Sequence, residues 1–223
     1  MIDQVIFDLD GTISDTQLIA VPAFIEGARL FGYPVVEDDT VRQAIGHPGI
    51  TYYTNIYPQI NIDELESFAF WVEAEERRRI RQLGRGILFS GIVSVMKVLS
   101  DNQIGLWLAS SGTDEHVNTI IDSSAIRDVF DGMAYGSSNK SKLVEQIIAH
   151  KPSSCWCMVG DTIFDFRAAR DNKIPIIGAR YGYGTRDVLA RCDYIIDKPE
   201  DLIHLPLFRN GVMLDASGVI SQY

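Results

Sequence analysis

Residues 4–12, QVIFDLDGT, decide the fold. A run of Val, Ile and Phe ends at two carboxylates, Asp8 and Asp10, and then at Gly11, which reads as a buried strand opening into a loop. Two anionic side chains one residue apart at the tip of such a strand repel each other, so their retention needs a chemical reason. Four further apolar runs follow: IGLWLAS (104–110), CWCMVG (155–160), IPIIGA (174–179) and DYIID (193–197). Between most of them lie amphipathic stretches of helical length, GIVSVMKVLSDNQ (91–103), DEHVNTIIDSS (114–124) and KSKLVEQIIAH (140–150). Strand alternating with helix predicts an α/β fold, a Rossmann-like three-layer parallel sheet covered on both faces.

The first strand is separated from the others by a stretch with no convincing strand. Its segments QLIAVPAFIEGARLFGY and DELESFAFWVEAEERRRIRQLG carry apolar residues at helical spacing, and Gly84 and Gly86 mark a stop and a flexible join. The expected organisation is therefore a core of residues 1–14 and 86–204 interrupted by an inserted all-α cap domain of residues 15–85. Residues 205–223 are expected to form a C-terminal tail, in which a hairpin around Ala216–Gly218 and a frayed end fit about equally well.

Composition narrows the function. With 223 residues, 46% of them hydrophobic, the chain can bury a sizeable core, and its formal charge of -10 opposes binding to nucleic acid or to an anionic membrane. Three cysteines, Cys155, Cys157 and Cys192, lack disulfide and zinc spacing, and no long apolar segment or secretion signal stands out. A cytoplasmic protein is expected. An anionic small-molecule substrate would then need a local cation, and nothing in the sequence sets an oligomeric state.

Ligands of open parallel sheets bind beyond the carboxyl ends of the strands, so the residues that close the apolar runs are the ones to inspect. These are Asp8 and Asp10, Ser110, and Asp161 of GDTIFD, with Asp165 four residues later and Lys140 at a helix start. Asp8 and Asp10 alternate along an extended chain and should point to different sides, leaving each free for a separate task. Several carboxylates converging on one pocket require a counter-charge, for which a hard oxygen-binding cation such as Mg²⁺ is suited. Ser110 offers a hydroxyl and Lys140 a cation for phosphoryl oxygens.

Together DLDGT, LASSG, the lysine of NKSKLV, and VGDTIFD followed by ARYGYG resemble the haloacid dehalogenase superfamily, specifically its helical-cap, phosphoglycolate phosphatase-like phosphatases. The resemblance spans roughly residues 2–204. It implies a Mg²⁺-dependent phosphatase acting on a small phosphate monoester, with Asp8 as the nucleophile that becomes an aspartyl-phosphate and Asp10 as acid and base. It also implies that Ser110, with Ser111 beside it, and Lys140 hold the phosphoryl group. Mg²⁺ would be held by Asp8, the Asp10 backbone carbonyl and Asp161, with Asp165 in support. Lys140 is preferred to Lys142 because its spacing from the following apolar pair matches the family's helix start.

The resemblance further marks the loop AIGHPGITYY, with Gly46 and His47, as a segment reaching from the insert toward the pocket to set specificity. Residues 1–96 contain no lysine, which removes the Schiff-base lysine of phosphonate-cleaving relatives and weakens a phosphomutase acting on a sugar phosphate. Asp10, Asp161 and Asp165 speak against dehalogenation, and Asp10 with the helical insert speaks against a non-catalytic phospho-receiver domain. Glu73 with Arg77 and Glu75 with Arg79, at i, i+4 spacing, read as a solvated helix face. The aromatic residues Tyr52, Tyr53, Tyr57, Phe68, Phe70 and Trp71 read as packing within the insert. Phosphoglycolate, a sugar phosphate, pyrophosphate and a nucleoside monophosphate all stay open as substrates.

Overall fold

The computed structural model describes residues 1–208. In chain order, β1 (Gln4–Phe7) is followed by four helices, α1 (Gln17–Phe31), α2 (Asp38–Ala44), α3 (Ile50–Ile56) and α4 (Ile62–Leu83). There follow α5 (Ile92–Asp101), β2 (Gly105–Ser110), α6 (Asp114–Ser124), β3 (Gly132–Tyr135), α7 (Lys140–Ile148) and β4 (Trp156–Gly160). The described chain closes with α8 (Ile163–Asp171), β5 (Ile176–Ala179), the short α9 (Arg186–Leu189) and β6 (Tyr194–Ile196). The strands form one sheet in the order β3-β2-β1-β4-β5-β6, with every neighbouring pair parallel.

The strand period explains the two covering layers. Val5 and Phe7 of β1 join an apolar cluster with Val95, Met96 and Leu99 of α5 and Val117, Ile120 and Ile121 of α6. Ile6, between them, faces the opposite cluster with Val144 and Ile147 of α7 and Ala168 and Ala169 of α8. Strands buried on both faces read as continuous apolar runs, which is why β1, β2 and β4 are visible as such in the sequence. The predicted three-layer fold is the one observed, with one strand more than expected. β3 is four residues long, lies at the sheet edge and is only half-buried, so GMAY carries no apolar run. Gly132 is required there because a Cβ would stand 2.5 Å from the Trp107 ring.

Helices α1 to α4 have an apolar cluster of their own, built around Phe24, Tyr57, Leu65 and Phe68. Phe24 and Phe68 meet edge to face at 5.5 Å, and Tyr57 meets Phe68 in the same way at 5.5 Å. The chain enters and leaves this layer through adjacent strands of backbone: Asp15 N–H donates to Ile87 C=O at 2.7 Å, Phe89 N–H donates to Ile13 C=O at 3.0 Å, and Ser14 pairs with Leu88. Of the C-terminal segment, Leu207 and Phe208 pair with Ile2 beside the sheet; the hairpin expected around Ala216–Gly218 lies outside the described residues. Among the described residues no helix is long and apolar enough to cross a membrane.

Candidate active site

The strand order reverses direction between β1 and β4, and the carboxyl ends of these two strands carry Asp8 and Asp161. This is the topological switch point at which open α/β sheets bind ligands. Asp8 extends β1 by one step, its N–H donating to Val159 C=O at 2.9 Å. Its carboxylate lies 2.5 Å from Lys140 Nζ, which also lies 2.6 Å from Asp165 Oδ1. Lys140 is the first residue of α7, with Asn139 as the cap; Lys142, two residues on, is exposed.

Asp165 occupies the first turn of α8 and forms a reciprocal cap with Thr162, accepting from its N–H at 2.9 Å and its hydroxyl at 2.6 Å. Asp161 stands before that helix, on the loop that follows β4. It accepts from Tyr183 N–H at 2.6 Å and from the Thr12 hydroxyl at 3.3 Å. Three glycines allow the approach: a Cβ on Gly11, whose φ is +83°, would lie 2.5 Å from Asp161 Oδ2, one on Gly182 would lie 2.6 Å from Asp161 Cβ, and one on Gly184 would lie 1.7 Å from Asp161 O.

Asp8, Asp161 and Asp165 are all buried, and each offers an oxygen within 4.8 Å of the others. Burial, with the charge of Asp165 next, pushes the Asp8 carboxyl well above its usual range and the Asp161 carboxyl up to about 7. Burial opposes charging Lys140, but Asp165 and Asp8 outweigh it and hold the ammonium charged. Three carboxylates against one ammonium leave an excess of two negative charges, and the donor set is all oxygen. Those residues fit a hard divalent cation, which would remove the excess.

Asp10 turns away from this cluster, as the alternation along the strand predicts. Its Oδ1 accepts from the Thr16 hydroxyl at 2.6 Å and pairs with His116 Nε2 at 2.9 Å. Burial works against the charged form of both partners, but their mutual attraction prevails, lowering the Asp10 carboxyl and raising His116 to about 9. Ser110 closes β2 and its hydroxyl accepts from Gly112 N–H at 3.1 Å, while Thr113 rather than Ser110 caps α6.

A cleft of about 720 Å³, open mouth included, joins these groups to the helical layer. Its floor carries Asp8, Asp10, Ser110, Ser111 and Lys140, and Gly46 and His47 close one side. Gly46 adopts φ +89° against Thr162, and the His47 ring meets Phe164 edge to face at 5.2 Å, so this loop touches the core beside α8.

The acidic and basic run on α4 corrects the expectation of a solvated face. Arg77 does pair with Glu73 at 3.7 Å and Arg79 with Glu75 at 2.7 Å, but Glu75 and Glu76 are buried. Arg77 also crosses to Glu115 at 3.2 Å and Arg79 to Glu26 at 2.7 Å, because α4 packs against α6 and α1. Glu73 and Glu76, one turn apart, face the cleft together with Tyr52 and Tyr53. Of the aromatic residues expected to pack within the insert, Tyr57 and Phe68 are buried and Phe70 is exposed. His116 and Glu76 are the functional candidates that sequence reasoning missed. The available signal for His116 was its place in the first turn after a strand that ends in a candidate serine.

The haloacid dehalogenase-like hydrolase family matches residues 5–179. The phosphoglycolate phosphatase of Synechococcus elongatus is 24% identical over 210 residues, which cover 89% of this chain and 94% of that protein. A haloacid dehalogenase-like hydrolase from Streptococcus pneumoniae superposes with a TM-score of 0.79 at 22% identity, covering 91% of this chain and 97% of its own. The β-phosphoglucomutase of Clostridium difficile superposes with a TM-score of 0.72 at 20% identity, covering 91% and 93%.

Proposed function

The chain belongs to the haloacid dehalogenase-like hydrolases and is a phosphatase, and from that premise we propose that it hydrolyses a small phosphate monoester through an aspartyl-phosphate on Asp8. The observation that carries this reading is the division of labour at the end of β1: Asp8 sits against Lys140 in the acidic cluster, and Asp10 is held apart by Thr16 and His116.

In the first displacement an Asp8 oxygen forms a bond to phosphorus while the bond from phosphorus to the ester oxygen breaks, and Asp10, protonated at Oδ2 when the anionic ester binds beside it, delivers that proton to the departing alkoxide. In the second, water attacks the same phosphorus, Asp10 takes its proton, and the bond to Asp8 breaks to release inorganic phosphate. Thr16 and His116 both engage Asp10 Oδ1, leaving Oδ2 for the leaving-group oxygen and then for water. Lys140 and the hydroxyls of Ser110 and Ser111 hold the phosphoryl oxygens and offset the charge that gathers on them. Mg²⁺, held by Asp8, the Asp10 carbonyl and Asp161 with Asp165 in support, would screen the repulsion between the anionic nucleophile and the anionic ester.

In this reading residues 1–14 and 86–204 form the catalytic core and residues 15–85 the cap, with Gly46 and His47 in its specificity loop. The separate apolar cluster of α1 to α4 and the paired connections at Asp15–Ile87 and Ile13–Phe89 support that division. Asp8→Asn should abolish turnover of an aryl phosphate and the acid-stable phosphorylated protein, with circular dichroism unchanged. Retained turnover would remove Asp8 from its role.

A further inference from the structure

Building on the phosphatase reading, we propose that the alcohol half of the substrate presents hydrogen-bond donors, hydroxyl or ammonium, and carries no second anion, and that Glu76 with Tyr52 reads those donors.

At the phosphoryl end of the cleft Lys140 is already engaged by Asp8 and Asp165. Across from it the helical layer contributes Tyr52, Tyr53, Glu73 and Glu76, and among the described residues no lysine or arginine lines that wall. The remaining bases are His116, which pairs with Asp10 at 2.9 Å, and His47, whose Nδ1 lies 3.0 Å from the Ala44 carbonyl. An ester bearing a carboxylate or a second phosphate would place that anion beside two glutamates with no free guanidinium or ammonium to receive it. Like-charge contacts of this kind are unfavourable and discriminate against the anionic partner.

Glu76 gives the wall its positive preference. It is 5% exposed, yet among the described residues no Lys, Arg or His lies within ion-pair distance of it. Among the described residues the one hydrogen bond it accepts comes from the Tyr52 hydroxyl, at 3.3 Å. Burial pushes its carboxyl up to about 7, and burial likewise keeps the Tyr52 hydroxyl protonated and able to donate. A buried carboxylate with a single long hydrogen bond facing a cleft lacks donors, and hydroxyl or ammonium groups on a substrate would supply them. Glu73, whose contacts with Arg77 at 3.7 Å and the Tyr53 hydroxyl at 3.5 Å are also long, adds to the same field.

The test is a comparison of kcat/KM for phosphoethanolamine, glycerol 3-phosphate and phosphoglycolate, which are of similar size and differ in the charge of the alcohol half. For the wild-type protein at least one of the first two should exceed phosphoglycolate by about tenfold or more, the scale of one unfavourable charge contact. Glu76→Gln and Tyr52→Phe should each shrink that ratio by at least about threefold, the scale of a weakened hydrogen bond. Tyr52→Phe removes one oxygen only, so it reports on the wall even where Glu76→Gln fails to fold. Phosphoglycolate turned over as well as or better than the other two, or a ratio unchanged in both variants, would overturn the proposal. The phosphatase reading is judged separately by 4-nitrophenyl phosphate: Asp8-dependent hydrolysis upholds it, and no hydrolysis of any ester removes both readings.

Discussion

Lys140 and Lys142 lie two positions apart on one helix and meet opposite environments. Lys140 is 6% exposed with its ammonium between Asp8 and Asp165, whereas Lys142 is exposed to solvent. An ammonium buried among carboxylates is worth far more than one in water, because the low dielectric that makes it costly to bury also strengthens its attraction to the phosphoryl oxygens. Lys140→Ala should therefore lower kcat/KM by on the order of 10²-fold or more, the loss typical for removing a preorganised group that stabilises transition-state charge. Lys142→Ala should change it by less than about twofold, as surface substitutions do. Steady-state kinetics on one aryl phosphate decides between them, and a larger loss from Lys142→Ala would exchange their assignments.

At the scale of elements, the site depends on the loop after β5 as much as on the strands. Tyr183 ties that loop to Asp161 through its N–H and to Asp15 and Gln17 at the start of the helical layer through its hydroxyl. Gly182 and Gly184 let the loop lie on Asp161, and the Asp161 carbonyl leaves no room for a side chain at Gly184. Gly184→Ala should cost about 2 kcal/mol by overpacking. That corresponds to a melting temperature lower by roughly 4–8 °C for a chain of this size. Gly86→Ala, where a Cβ meets nothing within 4 Å, is the control expected to stay within about 1 °C, since neutral surface changes move stability little. Differential scanning calorimetry compares the two. The strand-end positions of Asp8, Ser110 and Asp161 were legible in the sequence because a buried parallel strand is a continuous apolar run, and what terminates it stands out. Edge strand β3 was not, since half-burial gives no run. His116 and Glu76 were not legible either. His116 meets Asp10 across 106 positions of sequence and Glu76 meets Tyr52 across 24, and helical spacing on α4 describes its own face without saying what packs on it.

For the whole molecule, the order β3-β2-β1-β4-β5-β6 brings the ends of β1 and β4 side by side and gathers three buried carboxylates in a chain whose formal charge is already -10. Metal-free, this arrangement works against folding at neutral pH. Asp8 and Asp161 are raised above their ordinary value of 3.8, Asp161 to about 7, so between about pH 4 and 7 the folded state binds more protons than the unfolded state. Stability must therefore fall as pH rises through that window, the reverse of what a depressed carboxylate pKa would give. A divalent cation that takes the place of those protons binds only where the carboxylates are charged, and it binds the folded state alone, so it stabilises by mass action. The melting temperature of the chelator-treated protein should consequently drop from pH 5 to pH 8, and millimolar Mg²⁺ should raise it more at pH 8 than at pH 5. Asp161→Asn removes one of the three carboxylates; it should be more stable than wild type without Mg²⁺ at pH 8 and gain less when Mg²⁺ is added. A Mg²⁺ response that is equal at both pH values, or that survives intact in Asp161→Asn, would place the cation away from the β1–β4 switch point and separate the stability of this fold from the chemistry proposed for it.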